Sequence, residues 1–366
     1  MGATIPRLTL SSPANRNMDV RMFLRHEAIL LIGIAALCGC LSARPARAVE
    51  DDASFHHPVG IVAAGRIAVG DGELPLFVSR DWSAPLTGIR RAVVVLHGVL
   101  RNADVYYRSA LKAQAAAGAP GAESLIIAPQ FLAGIDLSAH GLSGRTLHWS
   151  LLSWEGGEPA EGPTKASSFD ALDAILRRLA DRRFFPDLTE IVVAGHFGGG
   201  QIAQRYAVLG RGEEAARAAD VRVRYVVANP SSYAWFTPDR PDAAIARSCP
   251  GYDRWKYGMH DLPPYAAGQN VEALQQAFVS RQVVYLLGME DTDPNHPALD
   301  KSCMAEAQGP QRYARGHAYF AALQARYGSA LRQALHDVPG VGHNGDRMLT
   351  SACGLAALFD MRGCTP

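Results

Sequence analysis

The sequence predicts an α/β architecture, a mostly parallel central sheet with helices on both faces. Three observations predict it. Short runs rich in Val, Ile and Leu recur at 92–96, 125–128, 191–194, 224–228 and 283–287, and continuous apolar runs suit strands buried on both faces. Helical patterns alternate with them at 104–117, 168–181, 199–209, 311–331 and 344–359. A glycine-rich turn, Gly195-His196-Phe197-Gly198-Gly199, joins the run at 191–194 to the helix that follows.

Composition sets the class. The chain has 366 residues, a formal net charge of +1, 48% hydrophobic and 19% charged residues, as expected for a globular protein with a large core. Balanced charge and the lack of a long Lys/Arg run argue against nucleic acid as a partner.

The elements are read in chain order. Arg21 and Arg25 precede an apolar run from Ala28 to Leu37, short for a membrane span and the right size for a signal-peptide core. Ala46-Arg47-Ala48 offers a cleavage site, which makes 1–48 a leader and 49–366 the folded domain. Leu37-Cys38-Gly39-Cys40 resembles a lipoprotein box with Cys40 as the lipidated residue. An uncleaved anchor is a third reading, and all three put the folded body in a secreted or periplasmic location. Residues 61–80 read as an opening antiparallel pair. The helix at 168–181 begins with Ser167-Ser168-Phe169-Asp170, a capping residue followed by acid in the first turn.

Between the strands at 224–228 and 283–287 lies a long insertion, read as a cap at about 229–280. It is rich in aromatic residues and proline, including Tyr233, Trp235, Phe236, Tyr252, Trp255 and Tyr265, and insertions of this length carry structure or function of their own. Beyond the leader, Cys249, Cys303, Cys353 and Cys364 form an even set, which in an exported chain suggests two disulfides. Three connectivities are open; the favoured one joins Cys249 to Cys303 and Cys353 to Cys364, which closes a short C-terminal loop. The alternative is four buried thiols.

Acyl transfer by a hydroxyl nucleophile needs an exposed residue on a tight strand-to-helix turn, a base, an acid that orients the base, and paired N–H donors. The turn at 195–199 has the required context, but phenylalanine stands at its centre, Phe197. His343, in Gly340-Val341-Gly342-His343 after the last strand, is the candidate base. Asp291, just after the strand at 283–287, is the candidate acid, with Asp293 and Glu290 as fallbacks. Val99, after Leu96-His97-Gly98, and Gly198 would supply the N–H pair.

The segments HGVLRNAD (97–104), GHFGGGQ (195–201), NPSSY (229–233), LLGMEDTDP (286–294) and GVGH (340–343) resemble the α/β-hydrolase superfamily, in particular secreted bacterial and fungal esterase-like members. The resemblance covers roughly residues 60–360. It implies descent from a serine carboxyl-ester hydrolase and an α/β-hydrolase fold, and is more distantly similar to feruloyl-esterase and polyhydroxyalkanoate-depolymerase relatives.

Phenylalanine has no nucleophilic atom, so an acyl-enzyme cannot form at residue 197. Two explanations follow: a non-catalytic relative that binds a ligand or partner in the pocket, or an esterase changed at one position, since Ser to Phe is a single-base change. Rescue by Ser231 or Ser232 is a third idea. Trp149, Tyr233 and Trp235, with Trp154, are candidates for lining a groove for a small-molecule ester or acyl ligand. Asp291-Thr292-Asp293 opens like a calcium loop but lacks its Gly and distal Glu, so no metal is expected, and no cofactor. His56, His57 and His296 are read as solvated.

Overall fold

A computed structural model of the chain describes residues 53–364; the leader and Cys40 lie outside the described residues. The strands of the main sheet are β1 (Gly65–Val69), β2 (Gly72–Val78), β3 (Arg91–Leu96), β4 (Ser124–Pro129), β5 (Glu190–His196), β6 (Arg222–Ala228), β7 (Gln282–Gly288) and β8 (Gln333–Val338). They form one eight-stranded sheet in the order β1-β2-β4-β3-β5-β6-β7-β8. β2 runs antiparallel to β1 and β4, and β3 to β8 pair in parallel. The five expected apolar runs lie within β3 to β7, and the opening pair is β1 and β2.

Alternation along each central strand feeds two separate cores. Val94, Leu96, Ile127, Val193, Val227 and Tyr285 pack on one face, and Val93, Val95, Ile126, Val192, Ala194 and Val226 on the other. β8, of sequence QALHDV, is only partly buried over most of its length, as an edge strand allows, and its weak apolar signal leaves it less legible than the central strands.

Helices cover both faces. Ser168–Ala180 starts as expected: the Ser167 hydroxyl accepts from Phe169 N at 3.0 Å, and Asp170 accepts from Ser167 N at 2.9 Å. Phe169, Leu172, Ile175, Leu176 and Leu179 form its buried stripe. The helix expected at 311–331 ends at Tyr327, where Gly328 takes φ 52° and a short 3-10 turn follows. The helix expected at 344–359 is two helices, Gly345–Thr350 and Ala352–Phe359. Ser351 takes an extended conformation between them and caps the second by accepting from Gly354 N at 2.9 Å.

The segment between β6 and β7 carries the helices Ala243–Ser248 and Val271–Ser280. It is held together by Trp235 N donating to Tyr257 O at 3.1 Å and by Arg240 donating to Asp253 at 2.8 Å, and it is tied back by Trp255 Nε1 donating to Gly156 O at 2.6 Å and Tyr265 OH donating to Asp173 at 2.9 Å. A disulfide joins Cys249 to Cys303 and another joins Cys353 to Cys364. This is the favoured connectivity, and it is compatible with an extracellular or periplasmic protein. No helix of the described residues is long and apolar enough to cross a membrane.

A buried ion pair fastens the N-terminal segment. Arg101 donates to Asp136 Oδ2 at 2.7 Å and to the carbonyls of Phe55 and His57 at 2.8 and 2.9 Å. Asp136 also accepts from Val59 N at 2.9 Å. Burial alone would raise the Asp136 carboxyl, but the Arg101 hydrogen bonds and two backbone N–H donors outweigh it and hold it below the ordinary range.

Chain entropy orders the two disulfides. With sequence separations of 54 and 11 residues, paired replacement by Ala is expected to cost about 4 kcal/mol for Cys249–Cys303 and about 3 kcal/mol for Cys353–Cys364. Denaturant titration of the two double variants checks the order; a larger loss from the C-terminal pair would contradict it.

Candidate functional site

The turn at 195–199 is a strand-to-helix elbow built on backbone contact. β5 ends at His196, Phe197 takes φ 59° and ψ −120°, and the helix Gly198–Leu209 begins at the next residue. Phe197 N donates to Ala228 O at 3.0 Å. A side-chain carbon on Gly195 would lie 2.1 Å from Gly199 O, and one on Gly199 would lie 2.2 Å from Leu96 O. Neither position has room for a side chain, which is why the flanking glycines stand where they do. A bulky residue in the left-handed region is itself uncommon and costs about 1–3 kcal/mol.

Parallel β7 and β8 deliver the acid and the histidine to the same edge as the elbow. Asp291 follows β7 and its N–H donates to Gly288 O at 3.0 Å; His343 follows β8 after the turn at Gly340. His343 Nδ1 lies 2.9 Å from Asp291 Oδ2. Asp291 is 3% exposed, whereas Glu290 and Asp293 are both exposed. Asn229 clamps the two loops: its Oδ1 accepts from Gly288 N at 2.9 Å and its Nδ2 donates to Gly342 O at 3.3 Å.

Asp291 has a second buried partner. Arg312 donates to Asp291 Oδ1 at 3.3 Å and to Ser231 Oγ at 3.0 Å, and its guanidinium carbon lies 5.0 Å from the centre of the Phe197 ring. Burial pulls the Arg312 pKa down to about 10 against the opposing pull of Asp291. Burial would raise Asp291, but the His343 hydrogen bond and the Arg312 charge hold it below the usual carboxylate value. His343 is lowered to about 4, chiefly by burial and further by Arg312, with the Asp291 bond opposing. At neutral pH the imidazole is therefore uncharged, and Nδ1–H donated to Asp291 leaves Nε2 as an acceptor.

Phe197 faces that histidine. Its ring packs edge-on to His343, centroids 4.7 Å apart, and is 6% exposed among Phe55, Val99, Leu151, Leu152 and Ala298. It also divides the cleft. One cavity, of about 390 Å³, is lined by Tyr106, His196, Phe197 and His343 among others. The other, of about 250 Å³, is lined by Phe197, Glu155, Gln201, Lys256, Tyr257 and Asp300 among others. Val99 and Gly198 adjoin this partition: a side-chain carbon on Gly198 would sit 3.1 Å from Val99 N.

The remaining expected site residues fall differently. Trp149, Tyr233 and Trp235 are 0%, 0% and 5% exposed, belong to the main core, and line neither cavity. Trp149 is fixed by donating Nε1 to Glu158 O at 3.1 Å, and Tyr233 stacks on Tyr319 with centroids 4.5 Å apart. Trp154 is likewise core, stacked on Phe131. These aromatics fill the interior because each finds an aromatic or apolar neighbour there. His296 is a second correction: its ring lies 4.7 Å from that of His343 and its Nδ1 accepts from Ala298 N at 3.1 Å. Ser231 accepts from Arg312, and Ser232 accepts from Arg205 at 3.0 Å while donating to Gln201 at 3.2 Å, so guanidinium groups hold both hydroxyls. Among the described residues no group of three or more His, Cys, Asp or Glu is placed to hold a metal ion.

Sequence reading missed Arg312, Glu155 and His196 as site residues. Arg312 opens a helix capped by Gln311, whose side chain accepts from Ala314 N at 2.7 Å, and nothing in one dimension aims the Arg312 side chain at Asp291. Glu155 lies in an irregular stretch with no periodicity, and His196 is one residue from the elbow, where its strand position turns it into the first cavity.

No protein-family model matches the sequence, and no curated protein matches it. Solved structures do. A poly(3-hydroxybutyrate) depolymerase, LpqC, from Bordetella parapertussis superposes with TM-score 0.57 and 22% identity, covering 86% of this chain and 95% of that one. Poly(aspartic acid) hydrolase-1 from Sphingomonas sp. KT-1 superposes with TM-score 0.55 and 22% identity over 80% of this chain and 96% of that one. With the sheet order and the elbow, these likenesses establish the α/β-hydrolase fold.

Two predictions follow from the geometry. Gly199→Ala is expected to destabilise by about 1–3 kcal/mol or more, because the added carbon meets rigid backbone; near-native thermal stability of that variant would refute the packing argument. His97 and His343 are both lowered to about 4 by burial. Since their folded pKa values lie below the unfolded value, the stability they confer is present above about pH 6.5 and is lost as pH falls toward 4. Each group adds up to about 1.4 kcal/mol per pH unit to the slope. Denaturant titrations between pH 8 and 4.5 should show a steepening loss below pH 6.5, and a flat profile there would contradict it.

Proposed function

We propose that this chain carries the acid–base pair and N–H donors of a carboxylic ester hydrolase, with acyl transfer closed by Phe197. The observation that carries the reading is the His343–Asp291 pair, 2.9 Å apart, facing Phe197 at φ 59° on the elbow. In a form bearing serine at 197, the hydroxyl would attack an ester carbonyl while His343 Nε2 takes its proton. Asp291 would hold the imidazole and stabilise its charge, and the N–H groups of Val99 and Gly198 would receive the oxyanion. As the sequence stands, residue 197 offers a ring and no nucleophile, so the reaction stops before the first covalent step.

The substrate class that fits is a small ester or acyl compound. The segment at about 229–280 acts as a cap, since Lys256 and Tyr257 reach from it into the second cavity. The two disulfides support a folded body outside the cytoplasm, with residues 1–48 as a leader that is cleaved or held through Cys40.

A second reading, a ligand-binding protein without turnover, is favoured by one observation. The Phe197 ring is packed on His343 and Arg312 and forms a wall shared by both cavities.

Hydrolysis of short p-nitrophenyl esters by the unmodified chain and by Phe197→Ser separates the two. The hydrolase reading expects a gain of about 10³-fold or more in the serine variant, abolished by adding His343→Ala. Inactivity of a folded Phe197→Ser protein transfers the weight to the binding reading, and fast turnover by the phenylalanine form overturns the mechanism.

A further inference from the structure

The second cavity contains a feature that ester hydrolysis does not use. Glu155 is 1% exposed. Its Oε2 accepts from Gln201 Nε2 at 2.6 Å and from Lys256 Nζ at 3.3 Å, and Arg205 NH1 lies 3.8 Å away. Its Oε1 is buried and has no hydrogen-bond partner. That oxygen lies beside Gly198: a side-chain carbon there would lie 2.6 Å from Glu155 Oε1 and 3.1 Å from Val99 N.

A buried acceptor without a donor is costly, and one left in a cavity wall marks where a ligand's donor belongs. A carboxylate beside an oxyanion hole is also unhelpful to a simple ester, because it repels the negative charge that the N–H groups are placed to receive. The conflict disappears when the acyl group brings its own positive charge. A carbonyl oxygen on Val99 and Gly198 N–H would then stand next to an ammonium on Glu155 Oε1, in a charge-assisted hydrogen bond. Asp300 adds a second carboxylate to the same cavity, while Lys256, 26% exposed at its side chain, can swing its ammonium toward solvent.

We infer that the second cavity binds aminoacyl compounds, with the ammonium next to the carbonyl held by Glu155. The inference rests on the proposed placement of the acyl carbonyl at Val99 and Gly198, but not on turnover. Glutamine at 155 would keep an acceptor for Gln201 and Lys256 and turn its amide N–H groups toward the cavity, where they oppose an ammonium.

The test is binding to the full chain as it stands, Phe197 included. L-leucinamide and its des-amino counterpart, 4-methylpentanamide, share a carbonyl and an alkyl group and differ by the ammonium. The expected result is a preference for leucinamide of about tenfold or more at neutral pH, lost above the pKa of its amine. Glu155→Gln should reduce the preference to about twofold or less. If Glu155→Gln does not fold, Lys256→Met serves instead, and removal of the competing cation should enlarge the preference. Equal binding of the two amides, no binding of either, or a preference that persists in folded Glu155→Gln or fails to grow in Lys256→Met overturns the inference. Because the serine variant's turnover is measured separately, failure of the hydrolase reading and failure of this one are distinguishable.

Discussion

The backbone of Gly199 passes so close to Leu96 and Gly195 that a single added carbon at either glycine would overlap a neighbouring carbonyl. That approach fixes the angle between β5 and the helix Gly198–Leu209, and the angle throws residue 197 into the left-handed region at the mouth of the sheet. Everything in the site is referred to this point. The N–H groups of Val99 and Gly198, the histidine after β8 and the acid after β7 converge because parallel strands bring their C-terminal loops to one edge. Phenylalanine stands at the centre of this elbow at φ 59°.

The polar network behind the elbow is more heavily built than a two-residue acid–base pair requires. Asp291 is shared by His343 and Arg312, Arg312 also holds Ser231, and Asn229 ties together the backbones of both loops. In a buried site each of these donors and acceptors costs stability unless it is paired. The pairing keeps Asp291 ionised at low exposure, while burial keeps His343 neutral against the pull of Asp291. Glu155 and His196 depart from this: Glu155 has one oxygen paired and the other without a partner, and neither ring nitrogen of His196 has one.

Phe197 gives the cleft its shape. Its ring borders His343, Arg312 and both cavities at once. Histidines line the first cavity, and carboxylates and a lysine line the second.

Much of this was legible in one dimension because it depends on local sequence. Continuous Val/Ile/Leu runs become central strands since a strand buried on both faces admits little else, and the elbow glycines declare a backbone that tolerates no side chain. Asp291 could be placed because it follows a recognisable strand and His343 because it closes the Gly340-Val341-Gly342-His343 segment, and chain order fixes which loops share an edge. Tertiary structure decided the rest. Trp149, Tyr233 and Trp235 look the same in sequence whether they line a groove or fill a core, since only the neighbours determine which. Arg312, Glu155 and His196 reach the site through side-chain direction and long-range packing, and neither is encoded by spacing along the chain.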